Sequence, residues 1–149
     1  MNLYPLKFKP VIKEKIWGGD LLNQYLDKSS QGNDIGEIWT ISGYEDNETI
    51  VANGYLADNS LNELVEVYMG ELVGDKVYEC FGNQFPLLIK LIGASEKLSI
   101  QVHPDDDYAR EQGFENGKNE FWYITDSHNG NIVCGKRRRR LKRGEDFPP

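Results

Sequence analysis

From Leu98 to Asp106 the sequence reads Leu-Ser-Ile-Gln-Val-His-Pro-Asp-Asp, and this stretch restricts the possible folds more than any other. Ile100 and Val102 are branched and apolar, and Ser99, Gln101 and His103 alternate with them. Successive side chains of a strand point to opposite faces. A strand over residues 95–102 therefore offers one row to a core and sets Ser99, Gln101 and His103 in the other, facing a polar cavity. Pro104 has no amide hydrogen to give a ladder, which predicts the end of the strand. Asp105 and Asp106 then suit the cap of a short helix over residues 107–112.

The rest of the chain repeats this grammar of short strands and turns. Residues 4–13 predict a strand broken by Pro10. Trp17-Gly18-Gly19 predicts a turn, and Asp20 suits the cap of a short helix from Leu21 to Leu26. Gly36 to Ser42 alternates as a strand with Glu37, Trp39 and Ile41 on one face, and a second strand follows near Thr49 to Val51, ended by Asn53-Gly54. Ser60 and Glu63 have capping-box spacing, and Leu61, Leu64, Val65 and Tyr68 recur at helical spacing, so residues 61–72 are predicted helical. Pro86 to Ile92 is an apolar strand interrupted by Lys90. Glu120 to Ile124 is a strongly aromatic strand, and Asn129-Gly130 signals a hairpin into a returning strand at 131–134. Many short strands with few helices predict a β sandwich or barrel with helical insertions.

The 149 residues suit one domain, on a prior of about 150 residues per domain. Eight tyrosines, six phenylalanines and three tryptophans provide enough apolar bulk for a core. No apolar run approaches the roughly 20 residues of a membrane span, and the first residues lack the apolar region of a signal peptide. Cys80 and Cys134 have no metal-like spacing, so they are expected as free thiols in a reducing, cytoplasmic setting. Residues 136–149 hold seven of the seventeen basic residues but two of the twenty-four acidic ones, a charge of +5 that leaves −12 on residues 1–135. So acidic a body disfavours nucleic acid. The basic tail alone could contact it, although a solvated disordered tail is the plainer reading.

Three residues bear chemistry, each with a plain structural alternative. A lone histidine such as His103 is more often structural than a metal ligand, and glutamine, as at Gln101, is an uncommon ligand. Glu120 reads either as part of a solvated edge beside Lys118 or as a carboxylate on a half-buried aromatic strand, where it needs a partner. Lys90, among six apolar neighbours, either snorkels to the strand edge or points into a polar cavity and meets an anion.

Four segments in order carry a family resemblance. They are Trp17-Gly18-Gly19; Gly36 to Ser42; Phe85 to Lys90; and Leu98 to Asp106 together with Gly117-Lys118-Asn119-Glu120-Phe121-Trp122-Tyr123. The chain resembles the N-terminal part of the type I phosphomannose isomerases, also called mannose-6-phosphate isomerases, over roughly residues 4–135. Gln-Val-His-Pro followed by Gly-Lys-x-Glu is the most specific element.

The resemblance implies a mainly β, cupin-type jelly roll with a short helical insertion, one zinc ion per site, and interconversion of mannose 6-phosphate and fructose 6-phosphate. Gln101, His103 and Glu120 would be three of four zinc ligands. Ser99, Lys90 and Lys118 would lie on the substrate and phosphate side. Lys118 and Glu120, near the metal on strand parity alone, are the candidate catalytic residues, and the sequence does not say which group moves the proton. The family's fourth ligand, a downstream histidine, and a catalytic arginine have no counterpart here; His128 occupies no matching position. The matching pattern gives way to the arginine-rich run after Gly135, as expected of a truncated or frameshifted product. An impaired or inactive isomerase is then expected, the alternative being a non-catalytic metal- or sugar-binding cupin fragment.

Overall fold

The computed structural model describes residues 3–114, 116–128 and 130. The chain divides into two compact units between Leu98 and Ser99. In the first, β1 (Phe8–Lys9) pairs with β4 (Ile50–Val51), and β2 (Val11–Gly19), β3 (Ile35–Ser42) and β5 (Leu88–Ile92) form an antiparallel sheet in the order β2-β3-β5. Residues opposite one another in an antiparallel ladder share a face. Ile12, Ile38 and Leu91 are such a row. They pack with Leu22, Leu26 and Ile35 into one apolar cluster. On the other face Lys13 stands opposite Glu37, and Trp39 opposite Lys90. A register shift between Trp39 and Ile41 interrupts the expected Glu37-Trp39-Ile41 row. A bulge sets two residues of one strand against one of its partner and so changes the facing of the residues beyond it.

A second cluster joins Val51, Leu56 and Leu64, with Tyr4, Phe8 and Tyr68 packed against it. Its helix is α1 (Leu61–Tyr68), which buries Leu61, Leu64 and Val65. The capping box is present: the Ser60 hydroxyl accepts from the Glu63 amide, and the Glu63 carboxylate accepts from the Ser60 amide. The predicted continuation to residue 72 fails at Met69, whose φ of 49° lies outside the helical region. The chain restarts as α2 (Gly70–Val73), stops again at Gly74 with φ 90°, and forms α3 (Asp75–Phe81), a helix that the apolar spacing did not announce. The expected helix over 61–72 thus covers α1 and most of α2, broken at Met69, whereas α3 buries no residue and so left no apolar periodicity to read.

Trp17-Gly18-Gly19 is not a turn but the end of β2. A Cβ on Gly18 would lie 2.3 Å from the Asp34 carbonyl oxygen, so the glycine serves close backbone approach instead. Leu21–Tyr25 is a 3₁₀ turn that buries Leu22, and the Asp20 side chain makes no cap hydrogen bond.

In the second unit, α4 (Asp106–Glu111) begins one residue earlier than predicted, and Asp105 caps it by accepting from the Tyr108 amide at 2.9 Å. The strands predicted over residues 95–102 and 120–124 are absent from the described residues as regular elements. A strand requires a ladder partner, and among the described residues these segments have none. One face of the aromatic segment is open, with Phe121 89% and Tyr123 80% exposed, while on the other Trp122 is 44% exposed. The hairpin through Asn129, the returning strand at 131–134, Cys134 and the basic tail lie outside the described residues.

Candidate metal and substrate site

Lys90 is held by the first unit's sheet. Its Nζ lies 3.1 Å from Glu37 Oε1, with the two side chains 19% and 11% exposed. Trp39 Nε1 donates to the other carboxylate oxygen at 2.7 Å. Lys13 Nζ stands 4.9 Å from the Trp39 ring centroid and donates to the Asn47 side chain. Lys90 thus meets an anion, and that anion is the protein's own Glu37. Desolvation pushes the Glu37 carboxyl up, but hydrogen bonds from Trp39 and Lys90 and the charges of Lys90 and Lys15 outweigh it, leaving it below its ordinary 4.5. The sequence did not single out Glu37. The available signal was a carboxylate between Gly36 and Ile38 in an apolar strand, where a buried charge demands a partner.

The second unit brings together the residues flanking Pro104 and Gly117. His103 Nε2 lies 2.6 Å from Glu120 Oε2, and Lys118 Nζ lies 3.8 Å from the same oxygen. Glu120 also accepts a side-chain hydrogen bond from Trp122. The predicted common side of Lys118, Glu120 and Trp122 is therefore present without a β ladder. Desolvation raises the Glu120 carboxyl, yet the hydrogen bonds from Trp122 and His103 and the charges of Lys118 and His103 prevail and hold it below 4.5. Gln101 Nε2 donates to Ser99 Oγ at 2.8 Å, so these two share a side as alternation required. No hydrogen bond among the described residues joins that pair to His103.

The donor chemistry fits a divalent metal. An imidazole nitrogen and an ionised carboxylate oxygen already converge, and both are good zinc donors. With its amide nitrogen committed to Ser99, Gln101 has its carbonyl Oε1 left for a cation. Among the described residues no group of three or more His, Cys, Asp or Glu side chains is placed to hold a metal.

A family model described as phosphomannose isomerase type I, catalytic domain, matches residues 5–136. The mannose-6-phosphate isomerase ManA of Bacillus subtilis is 39% identical over 130 residues, 85% of this chain and 38% of its own. A mannose-6-phosphate isomerase of Streptococcus mutans is 35% identical over 88% of this chain and 40% of its own. The chain thus spans about two fifths of the length of these curated relatives. Among solved structures, the Bacillus subtilis mannose 6-phosphate isomerase superposes with a TM-score of 0.63 and 41% identity over 76% of this chain and 35% of that one. A zinc-bound mannose 6-phosphate isomerase superposes at 0.59 with 23% identity, over 72% of this chain and 29% of that one, a likeness of fold. The fold is accordingly of the mainly β, cupin-type class with a helical insertion that the sequence led us to expect.

Proposed function

Because the chain belongs to the type I phosphomannose isomerase family, we propose that it forms the zinc- and sugar-phosphate-binding part of an aldose–ketose isomerase interconverting mannose 6-phosphate and fructose 6-phosphate. The observation that carries this reading is the approach of His103 Nε2 and Lys118 Nζ to one carboxylate oxygen of Glu120, His103 and Glu120 being seventeen residues apart. His103, Glu120 and Gln101, through its Oε1, would hold the metal. When bound, zinc supplies Lewis-acid polarisation and orientation of the sugar oxygens. Ser99, beside Gln101, offers a hydroxyl to the sugar. Lys118 supplies positive charge toward the phosphate and positions the substrate, whereas the charge of Lys90 is already met by Glu37. Isomerisation moves a carbon-bound proton between C2 and C1 through an enediol while a hydroxyl proton passes between the two oxygens, and Lys118 and Glu120 are this chain's acid–base candidates for it.

A metal- or sugar-binding piece without turnover is the second reading. It is favoured by the His103–Glu120 pair standing without a third His, Cys, Asp or Glu side chain placed beside it among the described residues. Elemental mass spectrometry on the purified chain, beside Gln101→Ala, His103→Ala and Glu120→Ala, decides the metal. We expect zinc in the parent and a loss of at least about tenfold in affinity for each variant. A coupled mannose 6-phosphate assay on the same samples separates the two readings. Zinc content unchanged in His103→Ala and Glu120→Ala would sink the site.

A further inference from the structure

Two segments without a β ladder nevertheless hold His103 and Glu120 at hydrogen-bonding distance, so something else must fix them. The contacts that do so lie just beyond the chemistry. The Gly117 amide donates to Asp106 Oδ1 at 2.9 Å, and the Lys118 amide donates to the Pro104 carbonyl at 3.0 Å. Gly117 lies flat against that turn: a Cβ there would be 2.5 Å from the Asp105 carbonyl carbon, 2.7 Å from the Asp106 amide nitrogen and 2.7 Å from the Pro104 carbonyl oxygen. All three are backbone atoms that cannot swing away. Asp105 is committed to capping α4 and Asp107 to Arg110, at 2.8 Å. Asp106 alone of the three spans to the segment carrying Lys118 and Glu120.

We infer that Asp106 and Gly117 are positioning residues that lock the Lys118–Glu120 segment onto the His103–Pro104 turn, so that the imidazole and carboxylate converge before a metal arrives. The inference deepens the proposed function and rests on His103 and Glu120 being zinc ligands. Its physical content is preorganisation. Ordering a loop costs backbone entropy, and a site assembled during folding spares the metal that cost. The Asp106 carboxylate bonds the backbone of Gly117 rather than His103 or Glu120, and it acts through that backbone.

The test is zinc affinity of the full chain, by competition with a chromophoric chelator, together with the imidazole nitrogen shifts of His103 in the metal-free chain at one fixed pH. Asp106→Ala and Gly117→Ala should each weaken zinc binding about tenfold, as lost outer support of a ligand does, and should remove the His103–Glu120 hydrogen-bond signature without metal. Asp106→Asn retains an acceptor oxygen and should bind zinc as the parent does. Asp107→Ala, in the same helical turn, should also match the parent. Parent-like zinc affinity and imidazole shifts in Asp106→Ala, or in Gly117→Ala where Asp106→Ala does not fold, overturn the positioning role and leave the metal reading intact. A parent chain that binds no zinc overturns both.

Discussion

Glu37 shows how much one carboxylate can carry. It is nearly buried, pairs with Lys90 and accepts from Trp39. Its carboxyl titrates below 4.5 in the folded chain and near the ordinary value in the unfolded one. A depressed folded value means stabilisation that is complete above about pH 4.5 and is lost as pH falls through the folded value. Glu37→Gln should therefore cost about 2–3 kcal/mol near neutrality, because Lys90 keeps its charge without a counter-ion. It should also flatten the acid limb of the stability curve, and urea midpoints between about pH 3 and 7 would show both effects. An unchanged acid limb would mean that another group sets it. Lys90 stood out in the sequence as a charge among apolar neighbours, yet its partner did not, since Glu37 is fifty-three residues away and only the β3–β5 register brings it near. His103 and Glu120 were legible through the family motif rather than through chemistry, because a single histidine and a single carboxylate carry little information until the fold joins them.

At the scale of elements, the legible ones were those that bury a face or carry a cap. The Ser60 box and the Leu61, Leu64 and Val65 spacing announced α1, and β3 and β5 alternate or run apolar because they line a core. Ser60→Ala should cost about 1 kcal/mol, since it leaves the Glu63 amide without its acceptor. Thermal unfolding of that variant checks it, and a loss under a few tenths would show that the cap is dispensable. The kink between α1 and α2 was not legible, because Met69 adopts a positive φ that nothing in its side chain requests. Met69→Gly should relieve that strain and raise stability by up to about 1 kcal/mol, which chemical denaturation would register. The predicted strands at 95–102 and 120–124 failed for a different reason. Alternation specifies which side chains share a side, and Ser99 with Gln101, or Lys118 with Glu120, do so. It does not supply the neighbouring strand that a ladder needs.

For the whole molecule, the charge division leads to one further expectation. Residues 1–135 carry −12 and the last fourteen +5, so any affinity for DNA should reside in the tail and fall steeply with salt. A chain ending at Gly135 should show no salt-dependent retention on DNA; retention equal to that of the full chain would place the binding surface in the acidic body. No helix among the described residues is long and apolar enough to cross a membrane. The sheet order has a consequence for time rather than for energy. β3 is hydrogen-bonded on both sides, by β2 and by β5, whereas the described backbone from Ser99 to Val102 belongs to no ladder. Amide hydrogens of Ile35–Ser42 should thus be among the slowest to exchange with solvent, and those of Ser99–Val102 among the fastest. The backbone leading into His103 can then open and reclose many times within one lifetime of the folded sheet. An ion could be captured or released there while β3 remains intact, and the clock for loading the site would be local opening instead of refolding.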